Sequence, residues 1–279
     1  MTTRLAYSSN MPVSNKSRVK PIGTTKFVKK LVSKYWYPLL SRRFGKEDVV
    51  FLNYGYETDP PMGLPLDESD EPSRYGIQLY HATATQVDLS GKKVLEISCG
   101  HGGGAAYLMR TVHPAAYTGL DFNGEGIAFC QQRHQIPGVD FVQGNAESLP
   151  FPDASFDAVV NVEASHAYPN FDRFVAEVAR VLRPGGHFLY ADLRGHQEFA
   201  EWDTTLAEAP MQQVSQRVIN PQVLIALEKN SKRYLQLINS LPTILHPFGR
   251  LFAGVPGSLI YRELEAGRNS YRMYHFTRD

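Results

Sequence analysis

"VLEISCGHGGGA", residues Val94 to Ala105, sets three apolar side chains around one carboxylate, Glu96, and then places Gly100, Gly102, Gly103 and Gly104 almost side by side. The first half has the length and composition of a buried strand. The second half cannot continue it, because glycine weakens a regular element and is kept where the backbone needs left-handed angles or a close approach. Both needs arise where a strand turns into a helix beside a ligand, and the helix N-terminus there offers N–H groups to an anion. The stretch therefore reads as the first strand, turn and helix start of an open α/β sheet, whose ligands bind beyond the carboxyl ends of the strands. Gly100 to Ala105 also fits G-x-G-x-x-A, and Asp121 meets the acid that a nicotinamide dinucleotide would want about 20 residues further on. The glycines by themselves leave both kinds of nucleotide cofactor open.

Outward from this stretch, Lys92 to Arg194 alternates two textures. "KKVLEIS", "YTGLDF", "VDFVQG", "FDAVVNVEA" and "HFLYADL" are strand-sized apolar runs, separated by helical stretches such as "AAYLMRTV", "EGIAFCQQRH" and "FDRFVAEVARVL". That alternation predicts an α/β fold with a mostly parallel sheet and helices on both faces. Residues 195 to 256 read as helical and irregular, and "SYRMYHFTR" as a last edge strand. Upstream lies one helical stretch, "KFVKKLVSKYWYPLL", where Phe27, Leu31 and Tyr35 recur at i+4, as do Val28, Val32 and Trp36, until Pro38 interrupts it. The expected organisation is a basic N-terminal arm and lid over 1–90 and a cofactor-binding core over 91–194. A helical acceptor cover over 195–256 follows, and a C-terminal helix and edge strand over 257–279 complete the core.

Composition narrows the classes. A chain of 279 residues, 43% hydrophobic, can bury a full core. No apolar stretch approaches a spanning helix and "MTTRLAYSSN" lacks an apolar signal core, so a soluble cytoplasmic protein is expected. Cys99 and Cys130 are the only cysteines, which suits a reducing compartment and excludes a disulfide framework. No clustered Asp, Glu and His pattern demands a metal, and none is expected. Residues 1–46 hold eleven of the 29 Lys and Arg and no acid, leaving eighteen bases against all 28 acids in the rest. Such a basic amphipathic arm could pack on the fold or lie peripherally on the inner face of an anionic membrane. Nucleic acid is not expected as a partner, because the six acids between Glu57 and Glu71 would face a phosphate backbone badly.

Three further features separate the cofactor classes. Glu96 lies inside the end of the first strand, "QGNAESLPF" follows the third and "LRPGG" precedes the fifth. In that order, over roughly residues 90 to 194, they resemble the class I S-adenosyl-L-methionine (SAM) methyltransferases. The resemblance implies a Rossmann-like, seven-stranded sheet with SAM as cofactor. It also implies that Glu96, Ser98 and the Gly100–Gly102 turn hold the amino acid end, Asp121 the ribose hydroxyls, Phe122 the adenine face, and Asn145 and Ala146 the adenine edge. Ser98 departs from the family's usual first glycine, and Asn145 from its usual Asp.

The sulfonium already makes the methyl electrophilic, so such an enzyme aligns an in-line displacement, and an alcohol acceptor additionally needs a base. "NVEASHAYPNF" puts Glu163 and His166 at the end of the fourth strand, where an imidazole suits proton exchange near neutral pH. His101 in the glycine turn is the alternative base. Tyr54 and Tyr56 in "FLNYGYETDPP" resemble the lid of small-molecule methyltransferases, and Tyr80 and His81 are further pocket candidates. From Tyr35 onward, "YWYPL", "DPPMGLPLDESDEP", "LYHATATQVDL" and "SYRMYHFTRD" together resemble the phthiotriol/phenolphthiotriol dimycocerosates methyltransferases of mycobacterial envelope lipid synthesis. That resemblance implies O-methylation of a hydroxyl on a large hydrophobic lipid. A rhamnosyl O-methyltransferase of glycopeptidolipid synthesis is the neighbouring alternative, and a non-catalytic SAM-binding sensor is the alternative outside enzymes.

Overall fold

The computed structural model describes residues 49–239, 246 and 254–279. The basic arm, with its expected helix, lies outside them. The strands are β1 (Lys93–Ile97), β2 (Ala116–Asp121), β3 (Val139–Gln143), β4 (Phe156–Val162), β5 (Leu182–Gly195), β6 (Gln212–Val218) and β7 (Asn269–Thr277). The helices are α1 (Arg74–Ala84), α2 (Gly103–Thr111), α3 (Gly124–Arg133), α4 (Phe171–Val181), α5 (Phe199–Ala207), α6 (Asn220–Asn239) and α7 (Leu259–Glu265). All seven strands join one sheet in the order β3-β2-β1-β4-β5-β7-β6. The first five are parallel, and β7 runs antiparallel to both β5 and β6. This is the class I methyltransferase, Rossmann-like arrangement.

Side-chain alternation builds two cores from the one sheet. Val94 joins Ile77, Leu79, Leu108, Val223 and Leu227 on the face covered by α1, α2 and α6. Leu95 and Ile97 join Phe174, Val178 and Trp202 on the face covered by α4 and α5. α4 forms because Phe171, Phe174, Val175, Val178 and Val181 make a helical stripe, with Asp172 in its first turn and Arg180 in its last to complement the dipole. Glu96, two residues after Val94 in the pleat, is carried into the first core. The chain crosses from β1 toward β3 on one side and from β4 toward β5 on the other, so the crevice for a ligand opens between β1 and β4.

One expectation needs correction. "SYRMYHFTR" forms β7, but β7 is interior, with Ser270 to Phe276 all buried. The edge is β6, drawn from the segment read as a helical cover. "QQVSQRV" is almost wholly exposed and shows no apolar alternation, so only its pairing with β7 makes it a strand. The same segment contributes Trp202 of α5 to the second core. The described part of residues 195–256 therefore completes the sheet as well as covering it. Among the described residues no helix is long and apolar enough to cross a membrane.

Candidate active site

The glycine turn leaves β1 through three left-handed residues, Ser98 (φ 60°), Gly100 (φ 56°) and Gly102 (φ 77°). Its backbone is pinned by Cys99 N–H to Leu120 O and Gly102 N–H to Cys99 O, both 3.0 Å. Gly103 and Gly104 have an intramolecular reason to lack side chains. A Cβ on Gly104 would stand 2.2 Å from the Tyr80 ring, and one on Gly103 2.7 Å from the Val50 carbonyl. Gly100 differs: a Cβ there would meet nothing nearer than Leu52, at 3.9 Å, so its open side faces the crevice.

Asp121, at the end of β2, accepts Gly100 N–H on Oδ2 (2.9 Å) and Asn123 N–H on Oδ1 (2.8 Å). These bonds orient the carboxylate beside Gly100 and leave lone pairs on each oxygen for a diol. Burial pushes its pKa up against the lowering effect of the backbone donors. Phe122 follows with 57% exposure, a free aromatic face at the same rim. Asn145 spends its Oδ1 on Glu147 N–H (2.9 Å), closing the turn that buries Ala146. Glu96 does not present itself to the crevice. It is fully buried, with Tyr80 OH donating to Oε1 (2.7 Å) and Tyr117 OH to Oε2 (2.8 Å). Burial raises its pKa to about 7, opposed by the two hydroxyls and reinforced by the Asp121 charge. Through these two bonds it joins α1, β1 and β2 directly behind the turn expected to hold the cofactor's amino acid end.

Beyond β4, Glu163 adopts φ 51°, and its Oε2 accepts both Tyr54 N–H (2.8 Å) and Tyr271 OH (2.9 Å). Burial is the largest cause that raises its pKa, to about 8, against those two donors and with help from Asp192. His166 sits in the 3₁₀ turn Ser165–Ala167. Its Nδ1 meets Asp192 Oδ1 at 2.8 Å, and its backbone N–H donates to Asp192 Oδ2 at 2.9 Å. Asp192 is wholly buried, yet Arg194 and His166 hold its carboxyl well below the usual range despite that burial. Ser165 OH also donates to it (2.6 Å), and Arg194 lies at 3.2 Å. Glu163 is thus drawn to the strap through Tyr54, and His166, from the same loop, to Asp192 on β5.

Sequence reasoning missed Asp192, Arg194, Tyr117, Tyr168 and Tyr271. Asp192 had a signal, a lone carboxylate inside the apolar run "HFLYADL", of the same kind that singled out Glu96. The tyrosines had none, because their partners lie far off in sequence. Tyr54 and Tyr56 lie in a strap pinned at both ends: Tyr56 N–H reaches Tyr75 O (3.0 Å), and Tyr234 OH of α6 reaches Asn53 O (3.0 Å). Tyr80 is drawn to Glu96. His81 instead pairs with Tyr107 OH at 2.8 Å and is not brought to the crevice. His101 is 1% exposed, with Nδ1 on the Val49 carbonyl (2.7 Å) and its ring against Phe129, so it props the turn from within.

The open Gly100, the oriented Asp121 and the exposed Phe122 fit a cofactor with a diol and a flat base, laid across the β1–β2 rim. This fold with this site defines a SAM-dependent methyltransferase, whose cofactor supplies an electrophilic methyl. A methyltransferase-domain family matches residues 95–190. The phthiotriol/phenolphthiotriol dimycocerosates methyltransferase of Mycobacterium tuberculosis is 59% identical over 90% of this chain and 93% of its own length. A fatty-acid O-methyltransferase of Mycolicibacterium smegmatis is 54% identical over 99% of this chain and 94% of its own. Among solved structures, the geranyl diphosphate C-methyltransferase of Streptomyces coelicolor A3(2), in complex with S-adenosyl-L-homocysteine, superposes with a TM-score of 0.64 at 16% identity, over 93% of this chain and 100% of that one. The chain belongs to the family of the phthiotriol/phenolphthiotriol dimycocerosates methyltransferases.

Proposed function

We propose that this enzyme transfers the methyl group of SAM to a hydroxyl of a long-chain lipid, the phthiotriol or phenolphthiotriol dimycocerosate backbone, in envelope lipid biosynthesis. The observation that carries the choice of a hydroxyl is the His166–Asp192 pair. An alcohol must lose its proton during attack, and an imidazole backed by a buried carboxylate is built to take it. Among the described residues the Nε2 of His166 has no hydrogen-bond partner, and it is the atom that would face the acceptor. In this reading Asp121 binds the ribose, Gly100 admits the cofactor, Phe122 and Asn145–Ala146 border the adenine, and the Tyr54–Tyr56 strap excludes water. The basic residues of 1–46 support a peripheral contact with an anionic membrane, from which such an acceptor would be drawn.

A second acceptor is favoured by the similarity to the fatty-acid O-methyltransferase, which extends over nearly the whole chain. A fatty-acid carboxylate is already ionised and needs no base. Labelled methyl transfer from SAM to unmethylated phthiotriol-type lipid, to rhamnosyl glycopeptidolipid and to a free long-chain fatty acid separates the readings. Label on the phthiotriol hydroxyl supports the proposal. Label only on the sugar moves the acceptor, and methyl ester alone refutes hydroxyl chemistry.

A further inference from the structure

Ser98 stands in a left-handed conformation that a residue with a side chain disfavours, at the first position of the cofactor turn. Something must hold it there, and the structure identifies what does. Ser98 Oγ lies 2.5 Å from Tyr168 OH. The Tyr168 ring is fixed edge-on against Phe174, with centroids 4.9 Å apart. The same hydroxyl receives Asn161 Nδ2 at 3.1 Å, and that amide also donates to Ile97 O at 2.8 Å, the carbonyl immediately before Ser98. Backbone pairing between β1 and β4 ends one residue earlier, at Glu96 with Val160. Side-chain bonds from the β4 side therefore take over where the ladder stops and the crevice opens. Among the described residues the arrangement leaves Asn161 Oδ1 buried without a partner, a cost borne for placing both amide protons.

We propose that Tyr168, supported by Asn161, is a positioning residue for SAM that acts through Ser98. It locks the turn in the left-handed register that aims Gly100 N–H at Asp121 and keeps the face of Gly100 open. With glycine at position 98 the lock would be dispensable. Because Tyr168 follows the turn bearing His166, the lock also ties the cofactor loop to the acceptor loop. The inference concerns cofactor binding and stands whichever lipid accepts the methyl.

The test is SAM affinity by calorimetry on the full chain. Tyr168→Phe is expected to weaken SAM about tenfold, the scale of one lost hydrogen bond plus a released strain. Ser98→Ala, which keeps the strained backbone but loses the hydroxyl, should match that loss, and combining the two should add less than about twofold. Introduced into Ser98→Gly, Tyr168→Phe should change affinity by less than about twofold. Equal losses on adding Tyr168→Phe to the parent and to the Ser98→Gly variant would show that Tyr168 acts by another route, and unchanged affinity in Tyr168→Phe would remove the role altogether. Should Tyr168→Phe fail to fold, Ser98→Ala alone decides: affinity equal to the parent overturns the lock.

Discussion

At the scale of single residues, the decisive question is where the acceptor's proton goes. Asp192 takes both the Nδ1 contact and the backbone N–H of His166, so one carboxylate orients the ring and the turn that carries it. His166→Ala should lower turnover on a hydroxyl acceptor by about 10² to 10⁴-fold while leaving SAM affinity unchanged. Asp192→Asn should lower turnover less, because the imidazole persists but loses its charged support. A His166→Ala enzyme with near-normal kcat on the lipid alcohol would remove it as base. A free fatty acid serves as the internal control, since its methylation asks for no proton removal and should survive the substitution. Asp121→Ala belongs to the other half of the site. It should weaken SAM by about tenfold or more, through lost ribose bonds and release of Gly100 N–H, and unaltered affinity would refute its role.

At the scale of elements, the turn after β1 shows what sequence could and could not disclose. Its position, its helix start and the carboxylate at the end of β2 were legible, because apolar runs and glycine clusters report on backbone needs that are local. The reasons for the individual glycines were not, since Gly104 is small for the sake of Tyr80, on a helix some twenty residues earlier. Gly104→Ala should therefore destabilise the fold by about 1 to 3 kcal/mol through overpacking at a 2.2 Å contact, measured by denaturant unfolding. Gly100→Ala meets open space, so its penalty should be confined to the left-handed backbone, about 1 kcal/mol, and to SAM affinity. Strand β6 failed to show in the sequence for the converse reason. An exposed edge strand buries nothing, and without burial there is no alternation to read.

At the scale of the whole molecule, Glu163 is where separate parts of the chain meet. It follows β4, receives the lid through Tyr54 and β7 through Tyr271, and α6 is tied to that lid through Tyr234. Glu163 and Tyr54 stood out in the sequence, but their pairing did not, because residues 54, 163, 234 and 271 are brought together only by the fold. The junction has a thermodynamic consequence. Its Oε2 already takes two donors, so a proton on this carboxyl belongs on Oε1, and burial favours that proton until pH reaches about 8. The unfolded chain releases it near pH 4.5. Between those values the folded state binds more protons than the unfolded one, so stability from this group is present below pH 4.5 and is lost as pH rises toward 8. Glu96 acts in the same sense up to about pH 7, whereas Asp192, held low, acts only in acid. Glu163→Gln keeps an acceptor for Tyr54 and Tyr271 and an N–H where the acid carries its proton, so the Glu163 contribution alone is removed. Unfolding free energies of parent and variant, compared from about pH 5 to 8.5, should diverge in favour of the variant by up to about 1.4 kcal/mol per pH unit and run parallel above about pH 8. Parallel curves throughout would mean that Glu163 is ionised in the folded protein across the range, and that the lid is held by a charge and not by a shared proton.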